Sequence, residues 1–402
     1  MGNLLIAKLA NYSVICCMYI SANVVYPVSN APLKNGVLEI NEDGSINAVL
    51  TQDEAQGIGT IQYYDGIIVP GFVNTHCHLE LSHLQGKIPE KTGLTGFIKQ
   101  ILGLRQQPEE EMILAMQNAD QEMYENGIAA VGDISNLLIS KSVKLNSKLY
   151  YHTFVEVFGF NHPSEPILEQ GLQLKKDFAP LKASVVPHAP YSVSSSLFNE
   201  IKKVTNDDDI LTIHNQETIG ENELFETGTG KFAEFFAELG IAQSDAHNSN
   251  KNSLNYHLPQ LSKKVNTLLV HNTFSSKADI DFTKKEHQKL YWCLCPNANL
   301  YIENSLPDVD VLKAEHLKIT LGTDSLASNH QLNILKEMQT LQEHKSISFE
   351  ELLRWATLNG AEFLGIESQY GSLETGKKPG IVLISNAENG IITKETTIKR
   401  LF

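Results

Sequence analysis

Residues 76–78 read His-Cys-His, two imidazoles separated by one residue. On an extended chain, residues two apart point to the same side, so His76 and His78 face one way and Cys77 the other. The chain has 14 histidines in 402 residues, and chance alone supplies roughly half a His-x-His pair in such a sequence. The pair by itself carries little weight; its position carries more. His188, His214, His271 and Asp324 each follow a short apolar run. Imidazoles and a carboxylate gathered at strand ends are costly to bury without a common partner. The partner whose chemistry fits is one divalent cation held by nitrogen and oxygen. Zn²⁺ is the first expectation, and Fe²⁺ or Mn²⁺ is compatible. With no thiolate in the set, such a centre is catalytic rather than structural, and it lowers the pKa of bound water towards about 7.

Those positions require strands that end on one side. Eight apolar runs qualify: 67–74, 129–134, 150–158, 183–187, 211–213, 267–270, 291–295 and 318–321. Stretches with helical periodicity lie between them, among them 94–104, 109–126, 194–203, 222–238 and 331–344. Strand then helix, eight times over, is the pattern of an α/β (β/α)₈ TIM barrel, whose active site lies at the C-terminal strand ends. A doubly wound open sheet is the alternative. It wants a glycine-rich turn after its first strand, where this chain has Thr75-His76-Cys77-His78. Short β-like runs at 19–25, 36–40 and 46–50 are matched at the far end by 381–384 and 396–402. They predict a small composite β-sandwich from residues 18–66 and 371–402, flanking a barrel of residues 67–370. Residues 1–17 read as an appended segment. The polar stretch 240–256 reads as a mobile loop.

Composition sets the outer bounds. With 32 Lys+Arg against 47 Asp+Glu, the net charge is −15, which argues against nucleic acid or an anionic membrane as partner and leaves a small-molecule substrate. The apolar run at 14–20 is far short of the ~20 residues a spanning helix needs. Five cysteines without a Cys-x-x-Cys pair form neither a disulfide framework nor a thiolate zinc site, and place the chain in a reducing cytoplasm. Cys293 and Cys295 read as small buried hydrophobes.

Longer strings carry a resemblance. Pro70-Gly71-Phe72-Val73-Asn74-Thr75-His76-Cys77-His78-Leu79-Glu80 resembles the opening metal motif of the amidohydrolase superfamily. His214-Asn215-Gln216-Glu217-Thr218 is similar to the His-x-x-Glu-Thr/Ser motif of its mononuclear deaminase branch. Val270-His271-Asn272 and the segment from Gly322 to Asn329 match the later signatures, in the family's order. The resemblance implies that His76, His78, His214 and Asp324 hold the metal. It implies that Asp324 also takes a proton from the attacking water, and that His271 orients the water or polarises the substrate. Glu217 would protonate a ring nitrogen and carry the proton to the leaving group. Strand four offers His188 where dinuclear relatives carry a bridging lysine, which implies one metal, with His188 reaching the substrate or orienting a ligand. Glu80 would meet the polar end of the substrate or cap the following segment. The strings from His78 to Ser82, Ala189 to Ser194 and Asp324 to Asn329 look most like aminodeoxyfutalosine deaminases and adenosylhomocysteine/methylthioadenosine deaminases. The implied activity is hydrolytic deamination of an adenine-type heterocycle. Guanine deaminase, imidazolone hydrolase or chlorohydrolase chemistry is the alternative within the family, and an inactive barrel acting as a binding protein is the alternative outside it. Residues 79–96 and 218–256 are expected to choose the substrate. Dimers are common among similar proteins, so a homodimer is compatible.

Overall fold

A computed structural model describes residues 17–243 and 246–402. Its centre consists of two four-stranded parallel sheets. The first runs Phe72–Cys77, Ile128–Ser135, Tyr150–Val157, Lys182–Pro187; the second runs Leu211–Asn215, Thr267–His271, Leu290–Leu294, Ile319–Leu321. Chain neighbours are sheet neighbours throughout, because parallel pairing requires a crossover and the intervening helices supply it. Phe72–Cys77 and Ile128–Ser135 are buried at every position, which is why these strands read as continuous apolar runs rather than alternating ones.

The two sheets meet at both edges. His214 N donates to His188 O at 3.0 Å on one side. On the other, Thr323 N and Asp324 N both donate to His76 O at 3.1 Å, beside a parallel bridge between Cys77 and Asp324. One apolar cluster, including Val73, Phe154, Val186, Leu268 and Cys293, packs between the strands. A larger one joins their other faces to the helices.

The two ends of the chain meet in a seven-stranded mixed sheet. It is ordered Thr397–Arg400, Ile381–Ser385, Gln62–Pro70, Met18–Val25, Val37–Ile40, Ile46–Leu50, with Leu33–Lys34 beside Met18–Val25.

Three sequence expectations are revised. The run 67–74 is divided at Gly71 between the mixed sheet and the first parallel sheet. A Cβ on Gly71 would lie 2.6 Å from Pro379 O and 2.7 Å from Ala129 Cβ, so only glycine lets the chain pass. The helical stretch 222–238 is two helices, Ile219–Thr227 and Lys231–Glu238. Gly228 (φ +68°) and Gly230 (φ +87°) turn the chain through the left-handed region between them. The stretch 240–256 is not wholly loop: Asn252 caps the helix Ser253–His257, which buries Leu254 and His257. Of the segment 1–17, all but Cys17 lies outside the described residues. Among the described residues, no helix is long and apolar enough to cross a membrane.

Candidate metal centre and its cavity

The histidines are brought together by the ends of the parallel strands. His76 and Cys77 close Phe72–Cys77, His78 follows, and His214 and His271 end or nearly end their own strands. Asp324 lies three residues beyond Ile319–Leu321. Gln216 (φ +44°), His271 (φ +74°), Asn272 (φ +56°) and Asp324 (φ +56°) all sit in the left-handed region. Such conformations cost non-glycine residues free energy and persist where surrounding structure imposes them. Here that strain is gathered at the strand ends that carry the polar side chains.

The geometry is that of ligands around a point. His78 Nε2 lies 3.1 Å from His76 Nε2 and 3.3 Å from His214 Nε2. Asp324 Oδ1 lies 3.6 Å from His76 Nε2 and 3.4 Å from His78 Nε2. An ion with metal–nitrogen distances of 2.0–2.1 Å spaces tetrahedral ligand atoms about 3.4 Å apart. Burial, reinforced by neighbouring imidazoles, holds His78 and His214 well below the usual histidine pKa. They are therefore neutral with lone pairs available, the form a metal requires. His214 Nδ1 donates to His188 O at 2.8 Å, which fixes the tautomer and directs Nε2 inward. Burial alone would raise the Asp324 carboxyl. The His76, His78 and His271 imidazoles beside it outweigh that effect, leaving Asp324 well below the usual carboxylate range. Its Oδ2 accepts from Ser328 Oγ at 2.6 Å. Among the described residues, His76 Nδ1 is buried without a hydrogen-bond partner. The donor set fits a divalent metal.

Glu156, His188 and His214 also bring potential ligand atoms within 4.8 Å of one another. That trio does not make a second centre of the same kind, because the His214 Nδ1 proton is already committed to His188 O.

The centre opens into a cavity of about 420 Å³, lined by His78, His188, His214, Glu217, His271 and Asp324 among others. Glu217 Oε1 lies 3.7 Å from His271 Nε2. Burial first, then the nearby Asp324 and Glu221 carboxylates, pushes Glu217 well above the usual carboxylate pKa, which favours its acid form. His271 Nδ1 donates to Asn299 Oδ1 at 3.2 Å. Burial lowers the His271 pKa to about 4. His188 also drops to about 4, through burial and then the Arg105 charge, and its Nδ1 lies 2.6 Å from Ser192 Oγ. Cys77 is buried and off the cavity.

Comparison with known proteins points the same way. Residues 67–400 match the sequence pattern of the amidohydrolase family. The chain belongs to the amidohydrolase family. It is 27% identical over 345 residues to an adenosine deaminase of Helicobacter pylori, covering 84% of this chain and 82% of that one. Aminofutalosine deaminase of H. pylori, solved with methylthio-coformycin, superimposes with a TM-score of 0.80 at 24% identity, covering 92% of each chain. An adenosine deaminase of Xanthomonas campestris with bound zinc gives a TM-score of 0.74 at 20% identity, covering 94% of this chain and 87% of that one.

In this amidohydrolase the cavity contains side chains that strand-end reasoning passed over. Glu156, Asn136 and Arg105 line it beside His188. Glu156 lies at the C-terminal end of an apolar run, the same signal that singled out Asp324. Arg105 follows the helix Gly93–Leu104, whose spacing marks only its apolar face. Glu80 is placed differently from the residues expected to meet substrate: it is buried and is not part of the cavity lining. Its carboxylate accepts Asn136 N at 3.1 Å and Leu137 N at 3.0 Å, so it clamps the loop that carries Asn136. The outer wall is apolar: Phe97, Ile101 and Leu102 face Phe235, Phe236 and Leu239. Segments 79–96 and 218–256 thus supply part of the lining, and 97–105 and 156–162 supply much of the rest.

Proposed function

We propose that this metal-dependent hydrolase of carbon–nitrogen, non-peptide bonds removes ammonia from an adenine-type heterocycle, with aminodeoxyfutalosine or an adenosine derivative as the specific substrate. The observation that carries the reading is the pairing of the histidine centre with the buried Glu217 carboxyl, 3.7 Å from His271 in the same cavity. Hydrolytic deamination of an amidine needs a nucleophilic water on one side of the carbon and a proton for the ring nitrogen on the other. The curated relative's name, adenosine deaminase, supports the substrate class. We further read the eight parallel strands as one closed (β/α)₈ barrel of residues 67–370, supported by the hydrogen bonds at both seams. Residues 18–66 and 371–402 form its composite β-sandwich companion, supported by the mixed sheet that draws strands from both ends.

In this reading His76, His78, His214 and Asp324 hold one metal, taken as zinc, as in the X. campestris relative. A divalent ion there acts as a Lewis acid and makes water nucleophilic near neutral pH. Asp324, kept ionised, takes a proton from the attacking water. Glu217 gives its proton to the ring nitrogen as water adds to the carbon. It then passes the proton delivered through Asp324 to the departing amine; as the carbon–nitrogen bond breaks and ammonia leaves, the proton of the added hydroxyl returns to Glu217 and a carbonyl remains. His271, neutral and held by Asn299, orients the water. His188 turns its second ring nitrogen towards the substrate. The free thiols Cys77, Cys293 and Cys295 support a cytoplasmic setting.

The test is an ammonia-release assay with metal-loaded protein across adenine, adenosine, 5′-substituted adenosines, aminodeoxyfutalosine, guanine and a chlorotriazine. Ammonia from the adenine nucleosides is the expected result. Turnover confined to guanine or to chloride release would replace this reading with the corresponding family alternative.

A further inference from the structure

Two charged side chains in the cavity have no part in the proton transfers above. Among the described residues, Glu156 is one of three carboxylates in the lining, with Glu217 and Asp324. Its side chain is 5% exposed. One oxygen, Oε2, accepts Asn136 Nδ2 at 3.2 Å. The other, Oε1, lies 3.5 Å from His214 Nδ1, whose proton goes to His188 O instead. Among the described residues, no group donates to Oε1. A carboxylate oxygen without a protein donor is open to one from a bound ligand. It lies beside the cavity.

Arg105 is the only lysine or arginine in the lining among the described residues. Its Nη2 donates to Asn136 Oδ1 at 2.6 Å and lies 3.9 Å from Glu80 Oε2. The rest of its guanidinium makes no hydrogen bond to the described residues. Asn136 joins the two, receiving from Arg105 and donating to Glu156, and Glu80 anchors the Asn136 backbone. The result is a built corner with one free acceptor and spare N–H donors side by side.

The chemistry of that corner selects its ligand. A hydroxyl both donates and accepts, so a pair of adjacent hydroxyls satisfies a carboxylate oxygen and a guanidinium together. An anionic group would find Arg105 already shared with Asn136 and would face the Glu156 carboxylate. An apolar group would leave donor and acceptor unpaired. Resting on the deaminase reading above, we propose that Glu156 and Arg105 bind the vicinal hydroxyls of the substrate's sugar, making the enzyme selective for ribonucleosides over free bases and deoxygenated sugars.

The test compares kcat/KM for adenosine, 2′,3′-dideoxyadenosine and adenine in the wild-type protein, Glu156→Gln and Arg105→Met, with metal content measured in each. Hydrogen bonds to charged groups support a preference of about 100-fold for adenosine over the dideoxy compound in the wild type. Each substitution should shrink that ratio below about 10-fold, chiefly through KM for adenosine, at unchanged metal content. A wild type that does not discriminate overturns the proposal while leaving the deaminase reading intact. So does a variant that loses rate equally on both nucleosides, which would show Glu156 acting through His214. A wild type that releases no ammonia from any of the three overturns both.

Discussion

Asp324 combines three demands in one side chain: a ligand atom facing the histidines, a second oxygen held by Ser328, and a backbone twisted to φ +56°. Asp324→Asn removes the charge while keeping the shape. Turnover should fall below detection with the fold intact by circular dichroism; near-normal activity would remove its role as base. Glu217 makes the complementary prediction. Its pKa is raised, so the acid form is present below that value and is lost as pH climbs through it. kcat should therefore decline on the alkaline side, and Glu217→Gln should be slower by at least about 100-fold and lack that limb. An unchanged profile in the variant would contradict the proton-shuttle role. At this scale the sequence is legible where position repeats a rule. His76, His78, His214, His271 and Asp324 all stand at the ends of apolar runs. Glu156 obeys the same rule but has no neighbouring motif to single it out. Glu80 lies next to a motif and turns away from the cavity, because the backbone N–H groups of Asn136 and Leu137 capture its carboxylate.

At the scale of elements, the ligands are aimed by what packs against their strands. A Cβ on Gly322 would come within 2.8 Å of His76 Cβ, 2.9 Å of Cys293 Sγ and 3.0 Å of His76 O. Gly322→Ala should displace His76 and cost about 1–3 kcal/mol through overpacking. It should lower the metal content measured on the purified protein; full occupancy would show that His76 has room to yield. The other side is held by a buried ion pair. Lys144 Nζ lies 2.7 Å from Asp133 Oδ2 with both side chains fully buried. Asp133 Oδ1 accepts Leu79 N at 2.7 Å, directly after His78. Lys144→Met strands Asp133 without its partner and should destabilise the fold by about 3–5 kcal/mol in denaturant unfolding. A loss under 1 kcal/mol would mean that Ser135 and water replace it. The pair was not legible from sequence, since Lys144 and Asp133 lie on different elements and nothing in their spacing joins them. The strand and helix order was legible, because burial on both faces writes itself as apolar runs. The break at Gly71 was hidden by an apolar run that continues across it, whereas the Gly228–Gly230 turn was written in the polar, glycine-containing stretch from Glu226 to Lys231.

For the whole molecule, the account makes one centre responsible for chemistry and for part of the stability. A ligand that binds only the folded chain adds RT ln(1 + [L]/Kd), about 2.7 kcal/mol at a hundred times Kd. The most direct measurement strips the metal with a chelator and then titrates Zn²⁺, Fe²⁺ or Mn²⁺ back. Ammonia release from adenosine and thermal stability are followed against bound metal in the same samples. The apoprotein should be inactive and less stable, and both properties should return and saturate at one ion per chain. Ammonia release that persists in metal-free protein, or protein that binds one ion per chain and still leaves every adenine nucleoside unchanged, would contradict it.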